Sequence, residues 1–421
     1  MSTDVTSSVS TRPSWWRRLY SQSPALLAGL AIALGFVVGA IVIIVTSPPV
    51  LRSWRHIFSS GGAIFSALKI TVDTVGAAYR AMFTGSVISP SLLWHSLSTG
   101  HDWTATLTPL SETLTYATPL LIASIGVGIA FQTGIFNIGA NGQAIMGGIG
   151  GAAVGSMIHV PMIFHLPLTL IAGILGGVIV GLVPGLLKAY TGAHEVIVTL
   201  MFNYVVAAFL IFAVLSTPLQ QPGQSNDISR TIDGSAQLPP LFGVSSGLRV
   251  SYGIFVAAAV VVFAWWFLER SSLGFEFRVT GQNPQAARAS GINAKFVIIA
   301  VFCVSGGLAG LAGTVQMQST THMVDGGFLI GNAGIGFTAI TVALLGRNKP
   351  VGIMWGALLF AALGVGGRAM QAATGIPLDL ATIIQSFVVL LVATPVMITE
   401  IFRLRNVETQ RVQLATQGWG S

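Results

Sequence analysis

The sequence predicts an all-α membrane protein with about ten transmembrane helices, and three observations predict it. Of the 421 residues, 53% are hydrophobic and only 8% are charged, with a mean hydropathy of +0.79. A soluble domain carries about 25% charged residues. Apolar runs long enough to cross a bilayer recur along the chain. Fifty glycines sit largely within those runs, as in helices that pack closely through small residues.

The ten expected spans are 26–45, 114–131, 136–158, 164–187, 195–216, 252–270, 296–317, 334–346, 350–370 and 378–400. Residues 1–25 read as a cytoplasmic tail. Arg17 and Arg18 precede the first apolar run, which exceeds a signal-peptide core in length and reads as a retained helix. Residues 46–113 form a long extracytoplasmic segment. Within it Gly62–Phe83 is only moderately apolar, carries Lys69, Asp73 and Arg80, and reads as helix lying on the outer surface. Residues 217–251, rich in Gln, Ser, Pro and Gly, form a second outer loop. The polar island 271–295 and the tail 401–421 fall inside, so 26–400 is one transmembrane domain.

This topology places most of the twenty lysines and arginines on the cytoplasmic side, as the positive-inside rule requires. The basic balance therefore reports orientation rather than a nucleic-acid partner. Cys303 stands alone in an apolar run, which excludes an internal disulfide framework. No Asp or Glu falls in the middle of a confident span, which argues against an ion-coupled secondary transporter. No G-x-x-x-x-G-K-[ST] phosphate loop is present, so energy from ATP must come from another chain.

Two glycine ladders, Gly147–Gly151–Gly155 and Gly173–Gly177–Gly181–Gly185, each put a small-residue stripe on one helix face. Residues 131–143, FQTGIFNIGANGQ, break the second and third spans with Phe136, Asn137, Asn141 and Gln143. Amides at membrane depth must face protein or a wet cavity, so this break is a candidate substrate pathway. Its alternative is an interfacial turn. In HEVIVTLMFNY, Glu195 opens a helix where the dipole favours its charge, and Asn203 lies about two turns deeper. Residues 114–216 and 296–400 each offer four spans, an expected inverted repeat with Asn-Gly breaks at 137–142 and 331–336.

The most informative polar stretch is Ser271–Lys295. Asn283 suits a helix cap, Pro284 the first helical position, and Gly291 a left-handed stop. The two-turn helix between them is too short to stand alone in water. Gly281 permits close approach before it, and Ala286 and Ala287 keep one face slim. Arg278 and Arg288 supply charge.

Gly274, Arg278, Gly281, Asn283, Pro284, Ala286, Ala287, Gly291 and Ile292 resemble the coupling-helix region of ABC importer permeases of the nucleoside and simple-sugar class. FNIG with the following Gly-Gln step, and EVI-TLM-N around Glu195 and Asn203, are similar to the nucleoside branch. SGGLAGLAG at 305–313 and TAITVALLGRNKPVG within 334–352 also match. The resemblance implies an ABC importer permease fold with alternating access and a bacterial cytoplasmic membrane location. It implies a second permease, often a paralogue, and an extracytoplasmic binding lipoprotein. It further implies a cytoplasmic ABC ATPase that uses ATP and magnesium, with no cofactor on this chain. Nucleosides are the expected substrate and simple sugars the alternative. Asn141 stands where the family is usually acidic, so a charge-dependent role there does not carry over.

Overall fold

The computed structural model describes residues 24–55, 63–329 and 334–394. Both tails, Gly62, Gly331 and the 395–400 end of the last expected span lie outside them. The long apolar runs are helical because lipid offers a backbone no partner except itself. In order they are α1 (Pro24–Thr46), α2 (Pro48–Arg55), α3 (Ala63–Ser86), α4 (Pro90–Thr99), α5 (Trp103–Gln132) and α6 (Ala140–Met157). Then come α7 (Met162–Thr191), α8 (Glu195–Leu215), α9 (Gly253–Arg270), α10 (Ser272–Gln282) and α11 (Pro284–Ala289). The chain continues with α12 (Ala294–Gln316, extended by a π-turn to Thr321), α13 (Gly334–Leu345), α14 (Pro350–Thr374) and α15 (Asp379–Ala393).

Among the described residues seven helices are long and apolar enough to cross a membrane: α1, α5, α7, α8, α9, α12 and α14. The shorter apolar α13 and α15 and the glycine-rich α6 account for the other three expected spans. Two boundaries differ from expectation. α5 begins at Trp103 rather than near 114, because its hydroxyl-rich first turns are satisfied within the helix. Thr108 Oγ1 donates to the Thr104 carbonyl and Thr115 Oγ1 to that of Ser111. α6 begins at Ala140 rather than 136, because Phe136–Ile138 stays non-helical and its amides are committed elsewhere.

α12 is the axis of the bundle. It packs against α7, α6 and α5, and α5 packs in turn against α14 and α13. The glycine ladders make the approach possible. A Cβ on Gly177 would strike the Gly306 carbonyl and the Gly310 backbone, and one on Gly181 would strike the Phe302 carbonyl. Gly147 abuts Gly310 in the same way, and Gly151 abuts Thr314. Thr314 Oγ1 closes the contact by donating to the Gly147 carbonyl.

The packing is that of two exchanged halves, α5–α8 and α12–α15. α5 ends beside Gly281 of α10, whereas α12 starts directly after α11, so the two first helices run oppositely. Each packs on the second and third helices of the other half, the exchange that an inverted repeat produces.

The segment 46–113 is tied to this bundle. α3 buries one helical stripe, Ala67, Thr71, Ala78, Met82 and Ser86, and packs along α14. The Tyr79 hydroxyl donates to the Phe36 carbonyl of α1, and Thr113 Oγ1 to that of Ser86. Residues 217–251 form a folded cap over the ends of α6, α7 and α12 opposite the α10–α11 end. Ile232, Ala236 and Leu238 are buried there, and Gln318 Nε2 donates to the Ala236 carbonyl.

Candidate functional site

The expected short helix forms in the polar island, and a second helix, α10, which the capping pattern did not announce, precedes it. Ser271 Oγ accepts from Gly274 N at 2.9 Å and starts α10. Gly274 lies against the Phe267 carbonyl, where a Cβ has no room, so α10 folds back on the end of α9. Phe277 is fully buried and meets Phe267 edge-on, with ring centroids 5.4 Å apart. Gly281 brings α10 against the Gln132 carbonyl and Thr133 at the end of α5.

Asn283 then closes α10 and opens α11. Its Oδ1 accepts from Gln285 N and Ala286 N, each at 3.0 Å. At the other end Ile292 N donates to the Ala287 carbonyl and Gly291 N to that of Arg288. With Gly291 at φ +80°, this is a Schellman stop. Asn293 Oδ1 caps α12 through Lys295 N and Phe296 N. A six-residue helix that has no stability alone is thus held by a cap at each end and by its neighbours.

Its two faces differ sharply. Pro284, Gln285, Ala286 and Arg288 are exposed, and Ala287 is fully buried. Sequence reasoning put both alanines on the slim outer face. The structure turns Ala287 toward its own chain, because the Schellman stop folds Ile292 back over the third-last helical residue. Arg278 pairs with Glu269 at 3.5 Å, so its charge is partly used within the chain.

The amides of the first break form a closed cluster. Asn137 Nδ2 donates to Gln143 Oε1 and to Ser305 Oγ, both at 2.9 Å. Asn137 Oδ1 accepts from Gly139 N and from Gln143 Nε2. Asn203 Oδ1 accepts from Gly142 N at 2.8 Å, and its Nδ2 donates to the Ile138 carbonyl at 2.9 Å. Asn137 and Gln143 are wholly enclosed. These three side chains staple the non-helical segment to α8 and α12. Asn137→Leu would orphan its partners in an enclosed site, at about 1–3 kcal/mol for each. It is expected to lower the melting temperature of the purified permease clearly below that of wild type in a fluorescence-detected heating series. Unchanged stability with impaired uptake would put Asn137 on the pathway instead.

The remaining pathway candidates are not part of this cluster. Phe136 is half exposed and packs its ring 5.0 Å from that of Phe131. Glu195 pairs with Lys188 at 2.5 Å in the first turn of α8. Asn141 fills the space left by Gly334 and Gly336, so the first break meets the start of α13 there.

Sequence reasoning missed a cavity of about 300 Å³ between α5, α13, α14, α15 and the end of α12, lined by Tyr116, Gln316, Thr338, Arg368 and Gln385 among others. Its signal in the sequence was slight: single polar residues in five separate apolar runs, with no shared motif.

A family model described as "Branched-chain amino acid transport system / permease component" matches residues 110–393. That range takes in both four-helix halves and the α10–α11 segment. The Guanosine ABC transporter permease protein NupP of Bacillus subtilis is 34% identical over 290 residues, covering 68% of this chain and 81% of the relative. The Glucose ABC transporter permease protein TsgB13 of Haloferax volcanii is 34% identical over 292 residues, covering 68% and 76%. The Nucleoside ABC transporter permease protein NupB of Lactococcus lactis subsp. cremoris is 32% identical over 289 residues, covering 68% and 79%. The chain therefore belongs to this permease family: it is a multi-pass membrane permease subunit of an ABC transport system, in which a separate subunit hydrolyses ATP.

Proposed function

We propose that this chain is the permease of an ATP-driven importer of nucleosides, coupled to its ATPase through α11. The observation that carries the coupling is the two-faced helix, capped at both ends. One face is anchored through Ala287, and the other offers Pro284, Gln285, Ala286 and Arg288 to a partner. A rigid element held at both ends transmits displacement, whereas a flexible loop would absorb it. Its neighbour α10 touches the end of α5 at Gly281, and α12 follows directly, so movement of α11 reaches the first helix of each half.

In this reading a cytoplasmic ABC ATPase uses ATP and magnesium, and a second permease completes the pathway. An extracytoplasmic binding protein delivers substrate at the opposite end, where the cap exposes Phe242 and Val244. ATP binding and hydrolysis bias two packings of the bundle. Two of the three relatives are named for a nucleoside substrate and one for glucose, which sets the competing reading.

The test is uptake by proteoliposomes holding the permease, its companion permease, the ATPase and the binding protein. Labelled guanosine, other nucleosides and glucose are offered in parallel. Nucleoside accumulation that requires both ATP and the ATPase is the expected result. Glucose accumulation in its place would replace the substrate, and accumulation without the ATPase would remove the mechanism.

A further inference from the structure

The cavity between α5, α13, α14, α15 and the end of α12 has the size of a small-ligand site and a polar lining that the packing leaves only partly used. The Arg368 guanidinium lies over the Tyr116 ring, 4.2 Å from its centroid. Among the described residues no carboxylate pairs with Arg368. With one face stacked, its planar fork of N–H donors remains for oxygen or ring-nitrogen acceptors. Gln385 Nε2 donates to the Phe360 carbonyl at 3.2 Å, which fixes the amide and leaves its Oε1 for another donor. Gln316 and Thr338 contribute further polar groups, and Leu120 and Phe360 form apolar wall.

The cavity also has a direction. Phe360 and Arg368 are eight residues apart on α14, about 12 Å along a helix. Arg368 lies toward the end of α14 remote from the α10–α11 segment. The floor includes Gly334, the residue that abuts Asn141 of the first break. The cleft therefore leads from the capped end of the bundle to the point where the two halves meet.

We propose that this cavity is a substrate subsite that receives a neutral nucleoside. Its apolar walls cover the flat base, Arg368 bonds the electronegative edge, and Gln316, Thr338 and Gln385 bond the remaining polar groups. Among the described residues no acidic side chain lines it, so it disfavours organic cations. The ligand class rests on the nucleoside reading above; the location does not.

Gly364 supplies the test. It lines the cavity, and a Cβ added there meets nothing within 4 Å. A larger side chain enters empty space, and replacing a mid-helix glycine favours the helix. In the full assembly Gly364→Phe is expected to cut nucleoside uptake about tenfold or more, with wild-type yield and melting temperature. Arg368→Gln is expected to raise KM about tenfold with kcat little changed, the pattern of a lost ground-state contact. As a binding readout, Gly364→Cys in a Cys303→Ala background should react with a small thiosulfonate and be protected by saturating guanosine.

An assembled Gly364→Phe complex with wild-type KM and kcat overturns the site. So does labelling of Gly364→Cys that no transported substrate slows. A wild-type assembly that imports glucose but no nucleoside, with glucose uptake blocked by Gly364→Phe, keeps the site and overturns the ligand class.

Discussion

Gly177→Leu is expected to abolish recovery of folded permease. The Gly177 Cα sits where α7 and α12 touch backbone to backbone, against the Gly306 carbonyl and the Gly310 main chain. No side-chain rotation relieves a clash with a backbone. Extra methylenes forced into a packed core cost about 1–3 kcal/mol even when neighbours can adjust. Here a whole isobutyl group must separate the two helices on which both halves of the bundle converge. The hydroxyl bond from Thr314 to the Gly147 carbonyl sits beside this contact and is strained with it. The folded, monodisperse fraction by size-exclusion chromatography is expected to fall below about one tenth of wild type, because the cost of parting these two helices exceeds the whole stability margin, about 5–15 kcal/mol for a typical domain. Gly76→Leu is the control, since a Cβ on Gly76 meets nothing within 4 Å. Wild-type yield and thermal stability of Gly177→Leu would show that the α7–α12 contact is looser than described.

Ala286→Trp is expected to abolish ATP-driven uptake while leaving the permease itself intact. Ala286 is exposed and shares its face of α11 with Gln285, whereas Ala287 is enclosed by the chain. An indole at 286 therefore disturbs only what docks there, and an indole at 287 disturbs the permease. The paired result is specific. Ala286→Trp should keep the wild-type melting temperature and lose uptake to about one tenth or less, a loss that shape complementarity readily accounts for. Ala287→Trp should lower the melting temperature before any partner is added. Arg288→Gln is expected to do much less, because exposed ion pairs contribute only about 0–1 kcal/mol. Full uptake by Ala286→Trp, with normal ATPase stoichiometry, would remove α11 as the coupling element.

What was legible in the chain follows from how local each signal is. Asn283, Pro284 and Gly291 act through hydrogen bonds within a few residues, so the sequence determined α11 and its stop. Apolar run length determined the spans because lipid forbids unsatisfied backbone, and the glycine ladders marked their own close contacts. α5 was misread at its start because the hydroxyls that make 103–113 look like loop are absorbed by its own carbonyls.

The site behaved differently. Asn137, Gln143 and Asn203 announced that amides must be satisfied, but the identity of the partner is a long-range fact. Only the tertiary structure brings Ser305 to Asn137, and Gly142 to Asn203. The same holds for the direction of Ala287, which depends on what α11 leans against. It holds most strongly for the cavity, whose Tyr116, Gln316, Arg368 and Gln385 come from four helices spread over most of the chain. By itself the sequence determined a membrane permease with a well-ended coupling segment, since helix length, capping and composition act locally. Which polar groups are spent on packing and which still face open space was decided by the fold alone, because a hydrogen-bond partner distant in sequence exists only once the helices have met.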